Sequence, residues 1–136
     1  MPAKPPILIV SSDLETQELY LAAFRTGWRD AYATSTCNEA ITLACERSIG
    51  AIVIDIRVAG DWNMCVEFGR NDCTKQVPVV ALSGYVAADG RFRRRSSQAG
   101  CAAFVAKPAL PSDLDAVIDR VMTGETGIEV MNSDGV

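Results

Sequence analysis

Three side chains stand where they could do chemistry together: the carboxylate of Asp55, the hydroxyl of Ser83 and the ammonium of Lys107. Each comes directly after a short apolar run, and Ser11 and Ser12 stand in the same relation to the run at 7–10. Such a set offers a carboxylate nucleophile or base beside a fixed positive charge and a hydroxyl donor. The chain has no histidine, which excludes Ser-His-Asp triads and imidazole acid–base chemistry. Five cysteines without a C-x-x-C spacing argue against the common zinc sites and read as small hydrophobes in a reducing compartment. No glycine-rich phosphate loop occurs.

The elements that must position these residues can be read from the apolar pattern. The run 51–54, Ala-Ile-Val-Ile, leads into Asp55 and ends in small residues at 59–60. A short all-apolar run of β-branched residues bounded by turn signals suits a strand buried on both faces of a parallel sheet. Residues 7–10, 31–35, 77–82 and 101–106 read as four further strands. Helices are expected from Ser12, through the Ser-x-x-Glu pattern to Glu15, at 38–48, 64–70 and 91–99, and from a Ser112 cap to 122. Leu14, Leu19, Leu21, Ala23 and Phe24 are the expected apolar side of the first helix. Residues 124–136 carry little periodicity and read as a flexible tail after a domain at 1–123.

Five strands alternating with five helices imply right-handed βαβ units and a doubly wound α/β parallel sheet. Asp55, Ser83, Lys107 and the Ser11-Ser12 pair then all fall on one edge, at the carboxyl ends of the strands, where open α/β sheets bind ligands. One aspartate at a strand end is ordinary. Four such positions on one edge are hard to explain as accident.

Composition bounds the rest. The chain has 136 residues, a net charge of −4 and 49% apolar residues, as expected of a single soluble domain with a proper core. The acidic balance argues against nucleic-acid binding. No apolar run approaches the roughly 18 residues of a membrane span, and the amino terminus does not read as a signal peptide, so a cytoplasmic protein is expected.

With Asp55, Ser83 and Lys107-Pro108 in place, the sequence over about 6–122 resembles the receiver domains of two-component response regulators. The resemblance implies a flavodoxin-like five-stranded sheet in the order 2-1-3-4-5. It implies Asp55 as the phosphoacceptor, Ser83 as the hydroxyl that meets the phosphoryl group and Lys107 as the lysine beside it. It also implies Phe104, with Ser83, as the switch, and the Arg57 backbone carbonyl, with Asp55, as a ligand of Mg²⁺. The partners implied are a histidine kinase or phosphotransfer protein and a downstream protein, with no nucleic acid or membrane contacted directly. The implied role is that of a signalling module, not an independent enzyme.

Two departures bear on that function. Receivers carry two adjacent acids after the first strand to hold Mg²⁺, and the matching positions here are Ser11 and Ser12. Mg²⁺ takes oxygen ligands at roughly 2.0–2.1 Å, commonly with one or two carboxylates, so the metal should bind weakly or not at all. Asp13, one residue on, is either a substitute ligand or an acid in the first helical turn, where its charge is favourable anyway. Val58-Ala59 and Trp62-Asn63 replace the usual loop residues after the acceptor. The loop is expected to be more mobile, with Trp62 either covering the site or packing. Tyr85 and the cluster Arg91, Arg93, Arg94 and Arg95 are either partner contacts or ordinary surface. Two functions are consistent with these residues: a phosphorelay receiver with weakened Mg²⁺ dependence, or a phosphorylation-independent pseudo-receiver acting as a protein-interaction module.

Overall fold

In the computed structural model, residues 4–27, 29–84 and 91–130 are described, the side chains at 59, 91–93 and 95 excepted. Strand β1 (Ile7–Val10) leads to α1 (Leu14–Arg25), β2 (Ala31–Thr34), α2 (Cys37–Glu46) and β3 (Ala51–Ile56). A single 3₁₀ turn (Ala59–Asp61) precedes α3 (Trp62–Arg70), followed by β4 (Val79–Ser83), α4 (Arg91–Gln98), β5 (Ala103–Ala106), α5 (Pro111–Met122) and β6 (Ile128–Val130). The sheet order is β2-β1-β3-β4-β5-β6, and every pairing is parallel.

The all-apolar strands are buried on both faces, as their composition requires. Alternation sends Ile7, Ile9, Val53, Leu82 and Val105 to one face, against Tyr20 and Phe24 of α1 and Leu114, Ile118 and Val121 of α5. Leu8, Val10, Ile52, Ile54 and Phe104 face the other way, against Ala40 of α2 and Trp62, Cys65 and Phe68 of α3. Asp55 and Lys107 continue the parity of Val53 and Val105, which puts both at the edge of the α1/α5 face.

Several local expectations are corrected. The strand count rises from five to six: within the stretch read as a tail, Ile128–Val130 pairs with β5. Three residues are too few for a periodic signal, yet Ile128 fills the core, and Gly124 and Gly127 turn the chain back with positive φ. The α1 cap is Asp13, not Ser12, and Leu110 precedes α5, with Pro111 in its first turn where Ser112 was expected to cap. Leu14 and Leu19 are exposed, because the buried stripe of α1 runs through Tyr20 and Phe24 at i, i+4. Thr36 caps α2, its hydroxyl accepting from the Glu39 N–H and donating to the Glu39 carboxylate, a Thr-x-x-Glu box overlooked in the sequence.

The cysteines divide. Cys45 of α2 and Cys73 of the loop after α3 form a disulfide, so two of the five are not unlinked hydrophobes. Cys65 and Cys101 remain thiols with their sulfurs 3.4 Å apart. Spacing in sequence could not identify either pair, since the fold sets which Cβ atoms approach. Among the described residues no helix is long and apolar enough to cross a membrane.

Candidate phosphoacceptor site

Asp55 lies one residue before the end of β3 and is 2% exposed. An ionised carboxylate at such depth costs several kcal/mol unless it is paired and hydrogen-bonded. Both oxygens are served. The Lys107 ammonium stands 2.6 Å from Oδ1, an ion contact that leaves Oδ1 without a well-directed hydrogen bond. The Ser11 hydroxyl donates to Oδ2 at 2.7 Å. Lys107 is fixed from its backbone: its N–H donates to the Ser83 carbonyl at 2.7 Å, and the Lys107–Pro108 peptide is cis. The Tyr20 hydroxyl of α1 donates to the Ala109 carbonyl, two residues after Lys107, at 2.9 Å. Burial first, and the Asp55 charge second, hold the Tyr20 hydroxyl above its ordinary pKa.

The other expected residues take different places. Ser83 ends β4, fully buried, in register with Ile56 and Ala106 on the two neighbouring strands. Phe104 lies in the core of β5, on the α2/α3 face. Ser11 and Ser12 part company: Ser11 turns inward onto Asp55, while Ser12 is exposed. Asp13 is half-buried at the start of α1, where its backbone N–H donates to the Ser11 hydroxyl at 3.0 Å. The Asp13 carboxylate accepts from the Thr16 hydroxyl at 2.7 Å. That hydrogen bond, aided by Arg57, keeps its pKa below the ordinary value despite an opposing desolvation.

Arg57 comes directly after β3, and its side chain, overlooked in the sequence, reaches the site. Its Nη1 lies 3.2 Å from Asp13 Oδ2 and 3.9 Å from Asp55 Oδ2. The backbone beneath it is held by Asp61, whose carboxylate accepts from the N–H groups of Arg57 and Val58 at 2.8 and 3.0 Å. The loop expected to be more mobile is thus tied by its own aspartate. Trp62 is 2% exposed and packs in the α2/α3 core, the packing alternative, and is not among the residues lining the cavity at Lys107. An Asp four residues after Arg57 and just before a helix is the signal that could have announced this clamp. Gln17, also overlooked, joins the ends of β1 and β2 by donating to the carbonyls of Ser11 and Thr34. Arg94 is exposed; Tyr85 and the side chains of Arg91, Arg93 and Arg95 lie outside the described residues.

A cavity of about 330 Å³ is lined by Ile56, Arg57, Val58, Gly84 and Lys107, and it meets the buried Asp55 through the two cations that contact its carboxylate. A larger groove of about 630 Å³ between α1, β2 and α2 is lined by Gln17 but by none of Asp55, Arg57, Ser83 and Lys107. The smaller cavity presents two cations beside one buried carboxylate, a setting for an anion. The same donors do not fit Mg²⁺ as arranged. Asp55 and Asp13 already face fixed cations, the Ser11 hydroxyl is spent as a donor, and no cluster of three metal-ligating side chains exists among the described residues.

No protein-family model matches this sequence, and no curated protein does. Its fold has many counterparts among solved structures. The chemotaxis protein CheY4 of Vibrio cholerae is 15% identical, with a TM-score of 0.77 over 88% of this chain and 99% of that one. The receiver domain of the sensor histidine kinase PA1611 from Pseudomonas aeruginosa, with magnesium coordinated in its active-site cleft, is 24% identical, with a TM-score of 0.73 over 89% and 99%. A LuxR-family two-component response regulator from Aurantimonas is 18% identical, with a TM-score of 0.77 over 97% and 92%. The architecture of this chain is that of the CheY-like receiver domains.

Proposed function

We propose that the chain is a two-component signalling receiver that accepts a phosphoryl group on Asp55, with weakened dependence on Mg²⁺. The observation that carries this reading is a buried strand-end carboxylate with the Lys107 ammonium at 2.6 Å, the buried Ser83 on the adjoining strand and an open cavity alongside. A carboxylate oxygen of Asp55 attacks phosphorus, and the bond from phosphorus to the donor's leaving atom breaks, its electron pair departing with the donor. Lys107 and the Ser83 hydroxyl stabilise the phosphoryl oxygens. The donor is a histidine kinase or a phosphotransfer protein. The added charge draws Ser83 and the adjoining loop toward the new group, and Phe104 responds on β5, shifting a surface read by a downstream protein.

Beryllofluoride, which stands in for the phosphoryl group on an aspartate, tests this reading by NMR. Saturable shifts at Ser83 and Lys107 are expected in the wild type and absent in Asp55→Asn. No response with or without Mg²⁺ would instead favour a pseudo-receiver that binds a partner without phosphorylation, the reading that the serines at 11 and 12 support.

A further inference from the structure

We infer that the Arg57 guanidinium takes the part of a divalent cation, making the Asp55 cavity a phosphoryl site that works without metal. This rests on Asp55 being the phosphoacceptor and adds to that reading the residue that meets the phosphoryl group. Arg57 reaches toward Asp55 Oδ2 at 3.9 Å while Lys107 holds Oδ1 at 2.6 Å, so the carboxylate lies between two positive charges. Both cations line the cavity of about 330 Å³ in which an incoming group would sit. The guanidinium is tethered at both ends: Asp61 pins its backbone, and Asp13, itself held by Thr16, takes its head at 3.2 Å. Asp13 is therefore an anchor for Arg57 and is not free to ligate a metal.

Charge supports the assignment. Asp13 and Asp55 against Arg57 and Lys107 sum to zero with no metal present. A divalent cation placed among them would raise the total to +2 beside two fixed positive charges. A phosphoryl group on Asp55 instead lowers it to about −1 in its dianionic form, which two donors of this kind can accommodate. Guanidinium N–H groups match phosphoryl oxygens in pairs, and Arg57, whose contact to Asp13 runs through Nη1 and whose side chain is 46% exposed, has further N–H groups to present to them while Asp13 holds it.

The phosphoryl donor can be an acyl phosphate or a phosphohistidine. With acetyl phosphate, one Asp55 oxygen bonds to phosphorus, the bond between phosphorus and the acetyl oxygen breaks, and acetate leaves with the electron pair. No proton moves, and the total charge is unchanged.

The test compares wild type, Arg57→Gln, Arg57→Lys and Asp55→Asn with acetyl phosphate, in excess EDTA and in millimolar Mg²⁺, monitoring the intact mass. The wild type should be labelled at equal rates in both, and Arg57→Gln slowed roughly a hundredfold or more in EDTA, the usual scale for losing a transition-state charge partner. Arg57→Lys should fall between them. As a readout independent of labelling, Mg²⁺ alone should leave the wild-type amide signals of Asp55 and Lys107 unmoved but shift them in Arg57→Gln, where Asp13 Oδ2 and Asp55 Oδ2 lose the guanidinium between them. Labelling of the wild type only with Mg²⁺, or of Arg57→Gln at the wild-type rate in EDTA, overturns the role of Arg57 and leaves the phosphoacceptor standing. A wild type labelled under neither condition overturns the phosphoacceptor reading itself, and this inference with it.

Discussion

The two edges of the sheet carry the same four charges in opposite arrangements. At the carboxyl ends of the strands, Asp55 and Asp13 meet Lys107 and Arg57. At the amino ends, Asp115 and Asp119 of α5 meet Arg29 and Lys4. In the second cluster the buried member is the cation: Arg29 is sealed and donates to Asp115 at 2.7 Å and to Asp119 at 2.6 Å, tying the start of β2 to α5. In the first cluster the buried member is the anion, one of its oxygens has only an ion contact, and a cavity adjoins it. Composition and net charge are identical, so neither distinguishes a clasp from a site. What distinguishes them is which sign is buried, whether its hydrogen bonds are complete, and whether there is space beside it.

The sharpest way to break this comparison is Asp55→Asn. Phosphoryl labelling should vanish altogether, while urea unfolding shifts by no more than about 1 kcal/mol, because Asn still accepts from Ser11 and the part-exposed Lys107 can turn to water. Arg29→Met should do the reverse. Removing the buried partner of two carboxylates costs about 3 kcal/mol in the same unfolding experiment. Labelling of Asp55 should stay within about twofold of wild type, as befits distant sites. If labelling fell with stability, the two edges would be coupled and the contrast lost.

Acid offers a smaller effect of defined sign. Burial raises the Asp119 carboxyl, but the Arg29 and Lys4 contacts outweigh it and hold the group below its ordinary value of 3.8. A carboxylate depressed in the folded state adds stability above its unfolded pKa and loses it as pH falls through the folded one. The amino-end clasp should therefore stay intact until the pH drops below about 3.8, the value from which Asp119 is lowered. In Arg29→Met, an NMR titration of the Asp119 carboxyl should return toward that value. The smallest effect belongs to Thr16→Val, which removes the first cause of the low Asp13 pKa. The Asp13 titration should move up in NMR with no measurable change in stability, and labelling in EDTA should slow slightly as Arg57 loses a well-held anchor.

Much of this was legible along the chain. Apolar runs such as 7–10 and 51–54 read as strands covered on both faces, their β-branched residues favouring a strand over a buried helix, and the helices between them called for parallel crossovers. Asp55, Ser83 and Lys107 were visible because each comes at or just after the end of such a run, and a parallel sheet gathers the carboxyl ends of its strands on one edge. The misjudged helix starts at Ser12 and Ser112 show the limit of local signals, since Asp13 and Pro111 compete for the same turns.

By itself, then, the sequence determined the alternation of elements, the parallel sheet and the three polar residues at its carboxyl edge, because these depend on short periods and on neighbours in the chain. The packing of distant segments is what brings β6 into the sheet, Cys45 to Cys73, Ser11 inward while Ser12 turns out, and the Arg57 side chain into the site between Asp13 and Asp55. Each of those depends on which way a side chain points once distant segments have packed, and no period along the chain encodes that direction.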